Sequence, residues 1–133
     1  MGVYFITQQN AIIIPPPGTP PGEEGGTMGK ASREKGKRGE REVAELLRAC
    51  GYEGRRGQQF CGINGDADVL GLEGVHIEVK RVEAFKLWDA MKQAQRDAKP
   101  DEIPTVWHRK NNERWVVVLD AEDFLKIWRR AND

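Results

Sequence analysis

A mixed α+β (α/β) domain is what this sequence predicts, with a central mixed β-sheet flanked by helices in the order α-β-β-α-β-β-α. Three observations carry it: a helical apolar stripe at Val43, Leu46, Leu47 and Cys50, two alternating strand-like runs over residues 67–82, and a helix, hairpin and helix succession thereafter. The 133 residues suit one domain. At 38% hydrophobic and 32% charged, they describe a small core under a heavily charged surface.

The first 29 residues read as a Pro/Gly-rich flexible leader, and 30–133 as the folded domain. The run Pro15-Pro16-Pro17-Gly18-Thr19-Pro20-Pro21-Gly22 favours polyproline II or coil. The apolar stretch Val3 to Ile14 lacks a basic start and a small-residue cleavage pattern, so a cytoplasmic protein is expected. From Lys30 to Arg38 five positive charges stand against Glu34. The first helix follows, and Gly51 supplies its stop. A polar Gly-rich loop runs from Tyr52 to Gly65. Strands are then expected over Ala67–Leu72 and Val75–Val82. A three-residue loop, Leu72-Glu73-Gly74, with positive φ at Gly74, would pair Val69 with Ile77 and bring Asp68 and Glu78 to one face. A second helix fits Ala84 to Lys99, with Leu87, Trp88, Met91 and Ala94 inward and Pro100 and Pro104 beyond it. Strands at Thr105–Arg109 and Arg114–Leu119 flank the turn Lys110-Asn111-Asn112-Glu113. Asp120 then caps a last helix through Phe124, Leu125, Ile127 and Trp128.

Several classes drop out at once. No apolar run approaches the ~20 residues that span a bilayer. Two cysteines, Cys50 and Cys61, make neither a disulfide framework nor a four-cysteine zinc site. With 21 basic and 21 acidic residues, net charge is silent about nucleic acid. The chemistry must come from acids. Glu40 lies three residues before Val43 and seven before Leu47, on their stripe, where a carboxylate needs a cation, a metal or hydrogen bonds unless it stays partly wet at the helix start. Glu78 and Lys80 share one face of their strand, and Asp68 begins the neighbouring strand. His76 reads as a surface residue or local hydrogen-bonder. Clustered carboxylates without Cys/His clustering suit Mg²⁺ or Mn²⁺.

In their order and spacing, Lys35-Gly36, Gly39-Glu40-Arg41-Glu42, Gly51-Tyr52, Arg56, Asp68 and Glu78-Val79-Lys80 resemble the PD-(D/E)xK nuclease superfamily. Within it the likeness is to archaeal-type Holliday junction resolvases and their phage-encoded relatives. It spans Lys35 to Leu125. The family's Pro-Asp is Ala67-Asp68 here, and Asp66 is an extra acid given a supporting role. The resemblance implies a restriction-endonuclease-like core and Mg²⁺- or Mn²⁺-dependent phosphodiester hydrolysis. Asp68, Glu78 and the Val79 carbonyl would hold the ion, and Glu40 a second ion or a water of the first. Lys80 would position or deprotonate the attacking water, or stabilise developing charge. Gln93 is a supporting residue on the second helix.

The DNA path is expected along Lys30, Arg33, Lys35, Lys37 and Arg38, then Arg55 and Arg56, extended by Arg81, His108, Arg109 and Lys110. The implied partner is branched DNA, a four-way junction, bound by a homodimer. Trp107, Trp115, Trp128 and Phe85 are the apolar residues that could make the dimer contact. Another activity of the same superfamily (flap, nicking or restriction-type), or a non-catalytic nuclease-fold DNA binder, is the alternative.

Overall fold

The computed structural model describes residues 28–57 and 67–133. The leader through residue 27, the loop residues 58–65 and Asp66 lie outside the described residues. Helix α1 (Met28–Ala49) begins two residues inside the expected leader and carries the whole basic run. Lys, Arg and Glu keep this first half helical through high intrinsic propensity, whereas Val43, Ala44 and Leu47 are buried. The helix stops as expected. Gly51 adopts φ +94°, its amide donates to the Arg48 carbonyl at 3.0 Å, and the Tyr52 amide donates to the Leu47 carbonyl at 2.9 Å. That pair of bonds is a Schellman motif.

Among the described residues the mixed sheet has five strands in spatial order β1-β2-β3-β4-β5: β1 (Arg55–Arg56), β2 (Val69–Leu70), β3 (Val75–Arg81), β4 (Ile103–Arg109) and β5 (Val116–Leu119). All neighbours are antiparallel except β3 and β4. Helix α2 (Leu87–Asp97) makes the crossover between that parallel pair, and α3 (Ala121–Asn132) follows β5. The element order is therefore α-β-β-β-α-β-β-α. The unexpected strand β1 is only two residues long, too short to have a periodicity.

Two apolar layers sandwich the sheet. On one face α1 packs Val43, Ala44 and Leu47 against Val69, Ile77 and Val79. On the other α2 packs Ala90, Met91 and Ala94 against Val106. Trp88, expected inward, is exposed. It sits about 100° round the helix from Leu87, off the stripe that Met91 and Ala94 continue. Pro104 lies inside β4 rather than in the loop before it. The Ile103 amide donates to the Gly74 carbonyl at 2.8 Å, so the next nitrogen points away from β3, beyond Leu119, where β5 has ended. A proline costs no ladder bond there.

Both turns follow their sequence chemistry. Val69 pairs with Ile77, and Gly74 has φ +80° with the Val75 amide on the Leu72 carbonyl at 3.1 Å. Asn112 takes φ +65° in the β4–β5 turn. Asp120 caps α3 by accepting from the Glu122 and Asp123 amides.

Gly39 sets how closely α1 meets the sheet. A Cβ built there would lie 2.6 Å from Arg81 Cβ, and the strand beneath cannot yield. Gly39→Ala is expected to cost about 1–3 kcal/mol by overpacking, read as a lowered denaturation midpoint. An unchanged midpoint would show that the helix can lift without loss.

Candidate active site

The acids converge where β2 ends. Hydrogen bonds alternate along β3, with Ile77 and Val79 facing β2 and the intervening residues facing β4. The Asp68 amide donates to the Ile77 carbonyl at 3.0 Å. One step further β2 has run out, and the Asp68 carboxylate takes its place, accepting from the Val79 amide at 2.8 Å. The Val79 carbonyl, on the same side of the strand as its amide, faces that gap. Asp68 and Glu78 are both buried, and their carboxyl groups share a hydrogen bond.

Burial first, then the Glu78 and Glu40 charges, push the Asp68 carboxyl up to about 7, although the Val79 amide pulls the other way. Burial would likewise raise Glu78. Hydrogen bonds from His76 and Asp68 and the Lys80 cation outweigh it and hold Glu78 below the ordinary carboxylate range. Of the two acids, Asp68 is thus the one harder to ionise and Glu78 the one easier to ionise.

Gln93 joins the β3 motif to α2. Its amide nitrogen donates to Glu78 Oε2 at 3.0 Å, and its Oε1 accepts from Lys80 Nζ at 2.9 Å. Lys80 Nζ itself stands 3.9 Å from Glu78 Oε2. The bridge fixes the carboxylate and the ammonium relative to each other. Gln93→Ala should lower the rate of any reaction run here about 10–100-fold, and leave retention of DNA unchanged if DNA is the substrate, since it supports the groups rather than touching phosphate. A parallel loss of binding would instead place Gln93 on the DNA surface.

Of the two places expected for His76, at the surface or as a local hydrogen-bonder, the second holds. It is wholly buried beside Glu78, with Nε2 at 3.4 Å from Oε1, and its Nδ1 lies 3.9 Å from Glu102 Oε1. The signal was the strand itself. A strand in the parallel pair is covered on both faces, so its second face is not a wet one.

Glu40 stands on α1, half-buried, and its charge is felt by Asp68. It does not join the hydrogen-bonded pair directly. Glu40 Oε1 is held by Arg56, at 3.0 Å from Nη2 and 3.1 Å from Nε. Arg56, expected on the DNA path, is thus engaged with an acid of the site, and Arg55 beside it is exposed. Among the α1 cations Arg33 and Lys37 are exposed and Arg38 is half-buried, while Lys35 pairs with Glu83 at 3.2 Å.

Two expected DNA contacts are corrected. Arg81 and Arg109 are buried and cannot reach a phosphate. Arg109 pairs with Glu42 at 3.0 Å, where the Trp115 indole also donates at 3.1 Å; Arg81 donates to Asn111 at 2.8 Å. Both belong to the tie between α1, β3, β4 and the hairpin turn. Lys110 remains exposed at that turn, and His108 is half-buried, stacked on Phe85.

The donor set fits a hard divalent ion. Two carboxylates and a backbone carbonyl meet at one strand end, and a cation there would offset the burial and mutual repulsion that raise Asp68. Among the described residues no cluster of three or more His, Cys, Asp and Glu stands in metal-binding array. The groups that could hold such an ion are the carboxylate pair and the Val79 carbonyl, with Glu40 as a third acid nearby. Comparison with protein-family models, with curated proteins and with solved structures gives no match.

Proposed function

We propose that this chain is a metal-dependent DNA endonuclease, built on a restriction-endonuclease-like core, that cuts branched DNA, with the four-way junction as its preferred substrate. The observation that carries the reading is the meeting of Asp68, Glu78 and Lys80 at one strand end, with Gln93 bridging the last two. Asp68, Glu78 and the Val79 carbonyl would hold Mg²⁺ or Mn²⁺. Such an ion would supply an activated water and neutralise charge on the scissile phosphate.

The remaining work falls to the chain's own groups. Asp68 and Glu78 would both hold the ion as carboxylates. Glu78, already held ionised by His76 and Lys80, provides the fixed anchor. Lys80, set by Gln93 Oε1, presents its ammonium beside Glu78 to orient the attacking water or meet the developing phosphorane charge. Glu40, oriented by Arg56, contributes negative charge at the far side of the site. Arg33, Lys37 and Arg55, exposed on α1 and β1, supply sequence-independent phosphate contacts.

The deciding experiment compares a four-way junction, a flap and linear duplex, each incubated with Mg²⁺, with Ca²⁺ alone and with EDTA. Cleavage is expected with Mg²⁺ only, and fastest on the junction. Undiminished cutting in EDTA would remove the mechanism. Equal cutting of all three substrates would keep the chemistry and reassign the substrate.

A further inference from the structure

We infer, on the strength of the DNA reading just proposed, that Lys35 and the Asn111 amide, backed by buried Arg81, form a phosphodiester site closed in the free protein by the chain's own Glu83 carboxylate. Glu83 lies in the bend between β3 and α2. One of its oxygens, Oε2, meets donors from three separate segments. The Asn111 amide of the β4–β5 turn donates to it at 2.8 Å, and Lys35 Nζ of α1 donates at 3.2 Å. Arg81 Nη1, at the end of β3, stands 3.5 Å away. A backbone amide and cations converging on a single oxygen are what a phosphate oxygen also takes.

The cradle does not depend on its occupant. Arg81 Nη2 donates to Asn111 Oδ1 at 2.8 Å, so strand and turn are tied without Glu83. The Arg81 side chain is 3% exposed, and its Nε has no hydrogen-bond partner among the described residues. It is a fixed positive charge beneath the site, and it stays in the core whatever sits above. Arg109 feels both Arg81 and Glu83.

The occupant, by contrast, is loosely held. The Glu83 side chain is 50% exposed on a segment that is neither helix nor strand, and ion pairs so exposed contribute little. It can turn into solvent without disturbing the core. Lys35 belongs to the basic run of α1, close in sequence to exposed Arg33 and Lys37, and Arg81 directly follows Lys80. The cradle therefore joins that run to the strand that carries the acids. A tethered carboxylate competes at an effective concentration on the order of millimolar, so free phosphate below that level leaves it in place. A DNA backbone already held by neighbouring cations delivers its next phosphate tethered as well, and displaces it.

The test is binding of a fluorescent four-way junction by the full chain in EDTA, beside circular dichroism. Glu83→Gln, which keeps an acceptor for Asn111, and Glu83→Ala should each fold and bind at least about fivefold more tightly than the wild type. Glu34→Gln removes the same charge one residue from Lys35, from an equally exposed side chain outside the cradle, and should change affinity less than about twofold. Lys35→Gln should cost more affinity in the Glu83→Gln background than in the wild type, because only there is the lysine released from the carboxylate. The Asn111 amide resonance should move when the junction is added and stay in place with micromolar inorganic phosphate. No gain from either Glu83 variant overturns the inference. So does an equal gain from Glu34→Gln, which would mean overall charge, or an Asn111 resonance moved by phosphate alone, which would mean a small-anion site. A wild type that retains no DNA removes the DNA reading and this site with it. A wild type that binds while the Glu83 variants gain nothing leaves the nuclease reading standing.

Discussion

Asp68→Asn is expected to abolish DNA cleavage and to make the protein more stable at the same time. On the proposed mechanism Asp68 is a carboxylate ligand, and its loss removes several kcal/mol of transition-state stabilisation, about 10³-fold or more in rate. Stability moves the other way. The folded protein holds the Asp68 carboxyl up to about 7 against an ordinary 3.8, first through burial and then through Glu78 and Glu40. A raised acid contributes stability that is complete below its unfolded value and lost as pH climbs through its folded value. Above pH 7 the wild type therefore carries the cost of an ionised buried carboxylate, and the amide does not. Asparagine can still accept from Val79 and can donate to Glu78. The gain should be on the order of 2–4 kcal/mol at pH 8, roughly 10 °C in Tm for a domain of this size, shrinking to little by pH 4–5. Thermal melts across pH check it, and Mg²⁺ should raise the Tm of the wild type but not of the variant. A variant that cuts at the wild-type rate, or one less stable at pH 8, would show that Asp68 is not an ion ligand held by the fold at a cost.

Glu42→Ala should come close to unfolding the protein. Glu42 faces the buried Arg109 and accepts from the Trp115 indole. Truncation withdraws a carboxylate from a guanidinium that burial already makes harder to keep charged. Breaking such a pair from one side costs about 3–5 kcal/mol, against a total stability of about 5–15 kcal/mol. Replacing both partners, Glu42→Leu with Arg109→Met, should recover much of that loss, since no charge is then stranded. Urea denaturation of the two variants decides the matter. Equal midpoints, or a single-variant loss under about 1 kcal/mol, would mean the network tolerates an unpaired charge.

These two residues also mark where sequence reasoning stops. The hairpin register was legible because alternation is a local rule, and because Gly74 stood where a three-residue loop needs positive φ. Gly51 and Asp120 were legible for the same reason, since helix stops and caps depend on neighbours within a turn. Arg81 and Arg109 were not. A basic residue beside a catalytic motif or at a hairpin reads as solvent-facing, and what buries Arg109 is an acid 67 positions away in the chain. The choice for His76 between surface and local hydrogen-bonding stayed open because alternation gives a strand two faces without saying whether the second is covered. Trp88 failed for a narrower reason. A large aromatic drew the apolar stripe one position too wide, where alanines let α2 sit close to the sheet. Glu40 fell between the cases: its helical position was plain, but its pairing with Arg56 needed β1, a strand too short to announce itself.

The bond from the Val79 amide to the Asp68 carboxylate makes the backbone of β3 an instrument. A peptide nitrogen senses the charge of the oxygen it faces, so the Val79 ¹⁵N resonance should shift whenever Asp68 gains or loses its proton or turns toward a cation. Occupancy of the site can then be followed in the uncut protein, residue by residue, with no substrate present.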